Sequence, residues 1–336
     1  MANSAGTASF GRRAPGRVLS ALALLLGVAT VGDAWAQASG KIPGLVRRDP
    51  LHDVVLRGDD AWIVGFPGLV LASGDKGATF RQAGPGGAVV LLAVDRVDDK
   101  VGYACGRQGQ VWKTVDGGAT WALAEGKTET TEPLLALDFV DAERGFVVGN
   151  FGTVLGTVDG GKTWTAVQVL EEGEDPTLNG VAWVDASTVV VVGEMGVLAR
   201  STDAGATWAR VEDVVPGHLF GVTALGNGGV LAVGSDGAIA YSRDGGATFQ
   251  TVDSGVSEHL FRAAVAKGRV AISGAAGTML VADDPAGPYT AVKVPTYLWI
   301  GSVALTDDGL GVAVGANAAV LVTRDFGRTW TRWGAK

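Results

Sequence analysis

Thr114-Val115-Asp116-Gly117-Gly118-Ala119-Thr120-Trp121 decides the fold, because the chain keeps returning to it. It comes back at residues 157–164, 201–208 and 242–249, each time with aspartate third, threonine seventh and an aromatic eighth. Weaker copies occupy residues 74–80 and 323–330, and an eroded one lies at 283–289. The closing aromatics are Phe80, Trp121, Trp164, Trp208, Phe249, Tyr289 and Trp330, in steps of 41, 43, 44, 41, 40 and 41 residues. A second register rides on the first. Gly65, Gly106, Gly149, Gly193, Gly234, Gly274 and Gly315 each lie fifteen residues before an aromatic. Two registers kept through seven copies define a sevenfold internal repeat.

Within one repeat the apolar residues fall into four short runs separated by Gly, Asp and Pro. The second repeat reads as strands at 89–94, 101–105, 110–114 and 120–123. Four strands in 40–45 residues make one propeller blade, and a lone blade cannot cover its own faces, so neighbours must stack on it. The expected fold is all-β: a seven-bladed β-propeller with four antiparallel strands per blade over residues 51–336. Composition agrees, with 52 glycines at fixed offsets in turns, 47% hydrophobic and only 18% charged residues. Cys105 is the single cysteine and reads as a buried strand thiol. A net charge of -8 argues against nucleic acid as a partner.

Residues 1–36 read as a secretory signal peptide. Arg12, Arg13 and Arg17 precede an apolar run at 18–31, and Ala34-Trp35-Ala36 has the small-x-small form of a cleavage site. The run is too short to span a bilayer. Cleavage would leave 24 basic and 34 acidic residues, in a monomer exported to the periplasm and not inserted in the membrane. Residues 37–50 form a polar lead-in, and 40–48 are placed to add a strand or clasp where the ring closes.

The repeated aspartates, Asp75, Asp116, Asp159, Asp203, Asp244, Asp284 and Asp325, have a mechanical reading. Each carboxylate can accept backbone N–H groups of the turn that follows it. One carboxylate per turn is too few for calcium, so no metal and no cofactor is expected. Blade six carries Pro285 and Pro288 where the others have glycine and threonine, so its turn should be irregular and the ring softest there. The second register is a Gly-x-x-Gly turn between the second and third strands, with Ala318 ending the seventh copy. Its two central residues are free to carry specificity.

If the first strand of each blade lines the channel, the loops leading into it share a face with the Gly-x-x-Gly turns. Those loops hold His52, Leu134, Asn179, His218, Phe220, His259, Phe261, Tyr297 and Trp299, which places all three histidines in one structural class. The candidate partner-binding set is Arg107, Phe151, His218, Phe220, His259, Phe261, Tyr297 and Trp299: aromatic and imidazole anchors, with Arg107 to pair a carboxylate. Alternatively, His-Leu-Phe is only a packing element at the start of an inner strand. A second patch is Arg200, Arg210, Arg243, Arg324, Arg328 and Arg332, near the Asp turns of blades four, five and seven. Residues 95–175, by contrast, hold 15 acidic and 7 basic side chains.

The Asp-turn repeat resembles two groups: the repeat of bacterial sialidases and, more closely, the photosystem II stability/assembly factor family of seven-bladed propellers. The copies at 111–121 and 154–164 carry the resemblance. It implies a non-enzymatic scaffold that binds a membrane protein complex or its extramembrane segment, or a companion of another membrane complex or transporter in a host without a photosystem. The alternative is a sialidase-like glycoside hydrolase or a glycan-binding propeller. Hydrolysis would need an arginine triad and a mouth tyrosine, for which Tyr297 alone qualifies, or a carboxylate pair, for which Glu194 and Asp236 have the right loop class.

Overall fold

The computed structural model describes residues 35–36 and 48–334. It is a closed seven-bladed propeller. Every blade is one antiparallel sheet whose four strands follow chain order outward from the axis. The innermost strands are Leu51–Arg57, Leu91–Arg96, Leu134–Phe139, Leu178–Trp183, Leu219–Ala224, Leu260–Ala266 and Ile300–Leu305. Each packs on the next, and Leu51–Arg57 meets both Leu91–Arg96 and Ile300–Leu305. The strands of the second repeat start and end within two residues of the sequence reading, the first being shifted by two at both ends to Leu91–Arg96. The reason is local. The Val89 and Val90 carbonyls bond to the N–H groups of Gly68 and Arg107 in turns, not to the ladder.

Seven apolar clusters hold the ring, each shared by two neighbouring blades. Leu51, Ile63, Leu71 and Phe80 of blade one, for example, pack with Val312, Val314 and Val320 of blade seven. Trp62 and Val64 of blade one likewise pack with Leu91, Ala104 and Trp121 of blade two. The second strands, such as Val189–Gly193 and Gly311–Gly315, are buried along their whole length, as strands covered on both faces must be. Cys105 is buried there, its thiol against the Leu134 carbonyl at 3.5 Å.

Closure uses side chains. Every blade takes its four strands from one repeat, and among the described residues no strand crosses the seam. Instead Ser302 Oγ donates to Asp53 Oδ1 at 2.6 Å, Lys76 Nζ reaches Asp308 Oδ2 at 2.6 Å, and Trp333 meets Phe80 edge-on at 5.4 Å. The clasp expected from 40–48 lies outside the described residues apart from Arg48, as do the leader residues other than Trp35 and Ala36. Those two pair outside Phe80–Ala83, giving blade one a fifth strand.

The Asp turns are built as the sequence implies, with one part added. In blade two Asp116 Oδ1 accepts the Thr120 N–H at 2.9 Å, and Oδ2 accepts the Thr120 hydroxyl at 2.6 Å. The residue two before the aspartate completes the knot: Thr114 Oγ1 donates to Asp116 Oδ1 at 2.8 Å and accepts the Gly118 N–H at 3.0 Å. Ser73, Thr157, Ser201, Ser242 and Thr323 repeat that role. Blade six cannot. Ala282 replaces the hydroxyl, Pro288 has no N–H, and Asp284 Oδ1 keeps one bond, from the Ala286 N–H at 2.8 Å.

Candidate functional site

The start of each inner strand pairs with the first glycine of the Gly-x-x-Gly turn, as Leu91 does with Gly106 and Leu260 with Gly274. The incoming loops and those turns therefore share one face, the channel mouth. The Asp turns lie on the other, where Lys76, Gly117 and Gly160 donate backbone bonds to the loops between first and second strands.

The turns are tighter than hairpin loops. Each is a single 3-10 turn in blades two, four, five, six and seven, and its third residue is left-handed: Gln108, Met195, Asp236, Ala276 and Asn317 all have φ between 51° and 62°. Phe151 holds the same conformation in blade three. That backbone thrusts the third side chain outward, leaving Phe151 64% and Met195 66% exposed. The fourth residue clasps the next blade. Gly109 donates to Glu132 O, Gly152 to Pro176 O, Gly237 to Glu258 O and Ala318 to Asp49 O.

Strand register separates the histidines, which correct the single class expected for them. Leu51, Leu219 and Leu260 occupy equivalent positions, each paired with the first glycine of its turn. His52 is thus the counterpart of Phe220 and Phe261, inside the mouth, whereas His218 and His259 stand one step out on the rim. Among the described residues no group of three or more His, Cys, Asp or Glu is placed to hold a metal.

Most of the candidate set meets at the mouth. His218 stacks on Phe220 at 6.2 Å, and Phe220 meets His259 and Phe261 edge-on, each at 5.8 Å. His218 Nδ1 accepts the Met195 N–H and His259 Nδ1 the Asp236 N–H, both at 3.2 Å. The neutral rings therefore carry their proton on Nε2. Next to this cluster His52 stacks on Trp299 at 6.3 Å. Burial, helped by the charge of Arg107 and opposed by that of Asp53, holds His52 below the ordinary imidazole pKa. His52, Phe261, Ala276, Tyr297, Leu298 and Trp299 line an open cavity of about 670 Å³. Its lip is uncovered: Tyr297 is 92% exposed. Phe151 stands on the same face in blade three, without a ring contact to the others among the described residues.

Below the mouth, three inner-strand carboxylates tie blade to blade. Asp53 accepts the Val94 N–H at 3.0 Å, Asp95 that of Phe139 at 3.0 Å and Asp138 that of Trp183 at 2.6 Å. Arg262 faces them, 3.9 Å from Asp53. Burial raises Asp95 far above the carboxylate range, and the Asp138 charge adds to it; Asp138 is raised by burial too. Sequence reading missed this belt. Its signal is an aspartate at the fifth position of the inner strand in repeats two and three.

The six arginines of the second patch do not share one surface. Arg200 clasps the next Asp turn through Gly245 O at 2.6 Å, and Arg328 pairs with Asp283 at 2.7 Å. Arg210 sits on an outer strand against Glu174 at 3.1 Å, and Arg332 donates to Asn317 O at 3.3 Å. Arg243 covers Tyr241 at 5.4 Å, and Arg324 is exposed in the turn of blade seven. As for the hydrolase pair, Glu194 Oε2 accepts the Thr177 N–H at 3.0 Å, and Asp236 lies one turn further round.

The fold and this open, aromatic mouth define a seven-bladed propeller with an accessible channel face. The family described as photosynthesis system II assembly factor YCF48 matches residues 125–292, half of the chain, and the chain belongs to that family. Among solved structures, YCF48 from Cyanidioschyzon merolae is 15% identical over 88% of this chain and 100% of that one, with a TM-score of 0.68. A YCF48 bound to D1 peptide is 18% identical over 73% and 80%, with a TM-score of 0.59. The WD40 β-propeller domain of Doa1 is as similar in shape, 14% identical over 85% and 96% with a TM-score of 0.69. No curated protein sequence matches this chain.

Proposed function

We propose that this protein is an exported, non-catalytic scaffold that holds an extramembrane segment of a membrane protein complex in the channel mouth. In a host without photosystem II the same mouth serves another membrane complex or transporter. One observation carries the reading. The mouth offers exposed apolar surface, with Tyr297 92% and Leu298 41% exposed at the cavity of about 670 Å³, and Met195, 66% exposed, on the turn of blade four on the same face. Soluble proteins keep such patches for partners. The D1 peptide held by a relative of the same family supports a polypeptide occupant. Export follows from residues 1–36, and mass measurement of the mature protein should find Gln37 at its start.

The test is capture of the tagged protein from lightly cross-linked membranes, beside a Trp299→Ala/His218→Ala variant. Recovery of one membrane complex, reduced about tenfold in the variant by loss of an aromatic anchor worth on the order of 1.5 kcal/mol, is the expected result. Equal recovery by both would move the binding surface away from the mouth.

A further inference from the structure

Charge is distributed over this molecule in a way the proposed function does not use. The loops and turns that build the mouth face, residues 48–50, 66–68, 84–90, 107–109, 124–133, 150–152, 167–177, 194–196, 211–218, 235–237, 252–259, 275–277, 292–299 and 316–318, contain fourteen Asp and Glu. Against these stand four basic residues, Arg48, Arg107, Lys127 and Lys293. Some of the acids are engaged: Glu194 holds the Thr177 N–H, and Glu174 is paired with Arg210. Glu171, Glu172 and Asp175 are exposed on the rim of blades three and four. On the other side of the mouth Asp236 and Glu258 flank His259, beside the apolar cavity.

The mouth is therefore an apolar pocket set in an acidic face. Long-range potential of one sign over such a face selects partners of the opposite sign and repels others. From this charge complementarity we infer that the occupant is an extended segment with one large apolar or aromatic anchor and lysine or arginine on both sides of it. The anchor enters between Phe261, Tyr297 and Trp299. The basic residues on one side meet Asp236 and Glu258, and those on the other reach across to Glu171, Glu172 and Asp175. Arg107 then does not recruit a carboxylate. It is a minor cation near His52 on a face of opposite sign. The inference rests on the reading of the mouth as the partner site and adds the chemistry of the partner.

Three labelled peptides test it, all with a central Phe-Leu-Trp core and flanks of lysine, serine or glutamate. Fluorescence anisotropy with the full mature chain at low salt should show the lysine peptide binding about tenfold more tightly than the serine one, as three exposed ion pairs would give. The glutamate peptide should be weaker still, and salt should erase the difference. A Glu171→Gln/Glu172→Gln/Asp236→Asn variant should lose most of the lysine preference while keeping the serine peptide's affinity. A Tyr297→Ser variant should weaken all three alike. Equal binding of the three peptides, or preference for glutamate, would overturn the inference while leaving the mouth as the site. Binding by none, in a protein that unfolds cooperatively, would overturn both.

Discussion

Asp284 stands where Asp116 stands in another blade, and the two carboxylates do different work. Asp116 gathers the Thr114 hydroxyl and the Thr120 hydroxyl and N–H, three bonds within 2.9 Å, whereas Asp284 keeps one. At about 1 kcal/mol net per bond, Asp116→Ala should lower unfolding stability by about 3 kcal/mol and Asp284→Ala by about 1 kcal/mol, measured by urea denaturation. Equal losses would show that the side-chain knot is not what holds the turn. The recurrence of the aspartate was plain in the sequence, and so was the erosion of blade six. The hydroxyl two residues before it was in view as well, but Ser73 lay outside the recognised repeat and its partner could be known only from the bent backbone.

Elements are joined by the fourth residue of the Gly-x-x-Gly turn, whose N–H reaches the following blade from blades one, two, three, five and seven. Gly109 has φ of +63°, and a Cβ there would collide with the Thr130 carbonyl. Ala318 does this job in blade seven with φ of 52°, a left-handed conformation that costs an alanine about 1 kcal/mol over glycine. Ala318→Gly should therefore stabilise the protein by about 0.5–1 kcal/mol, and Gly109→Ala should destabilise it by more than about 1 kcal/mol. Thermal unfolding of the two variants checks both signs. Strands were legible here because alternating apolar runs between turn residues leave few other options. The interblade bonds were not, since every residue can donate a backbone N–H and only register says where it points. Register likewise placed His52 with Phe220 and Phe261, a distinction of two residues that the His-Leu-Phe pattern concealed.

At the scale of the whole ring, the inner strands bring together groups from neighbouring repeats. Asp95 and Asp138 belong to successive blades, and the Asp138 charge raises the cost of ionising Asp95, a carboxylate already desolvated by burial. With its pKa raised on folding, Asp95 binds a proton more readily in the folded state. Its contribution to stability is full below the unfolded value near 4 and falls as pH rises through the folded one. Asp95→Asn keeps an acceptor for the Phe139 N–H and removes the titration. Its melting temperature relative to the parent protein should rise steadily between about pH 5 and about pH 9. A constant difference would mean that Asp95 is ionised throughout.

The proposed function makes the mouth the binding surface and the opposite face scaffold. Exposed apolar side chains occur on both, Tyr297 on the mouth and Val158 in the Asp turn of blade three, 76% exposed. A photo-reactive benzoylphenylalanine placed by Tyr297→benzoylphenylalanine or Val158→benzoylphenylalanine would report directly which face meets the membrane partner in intact cells. The account predicts a cross-linked membrane protein from the Tyr297 position and none from the Val158 position. A product from Val158, with none from Tyr297, would contradict it.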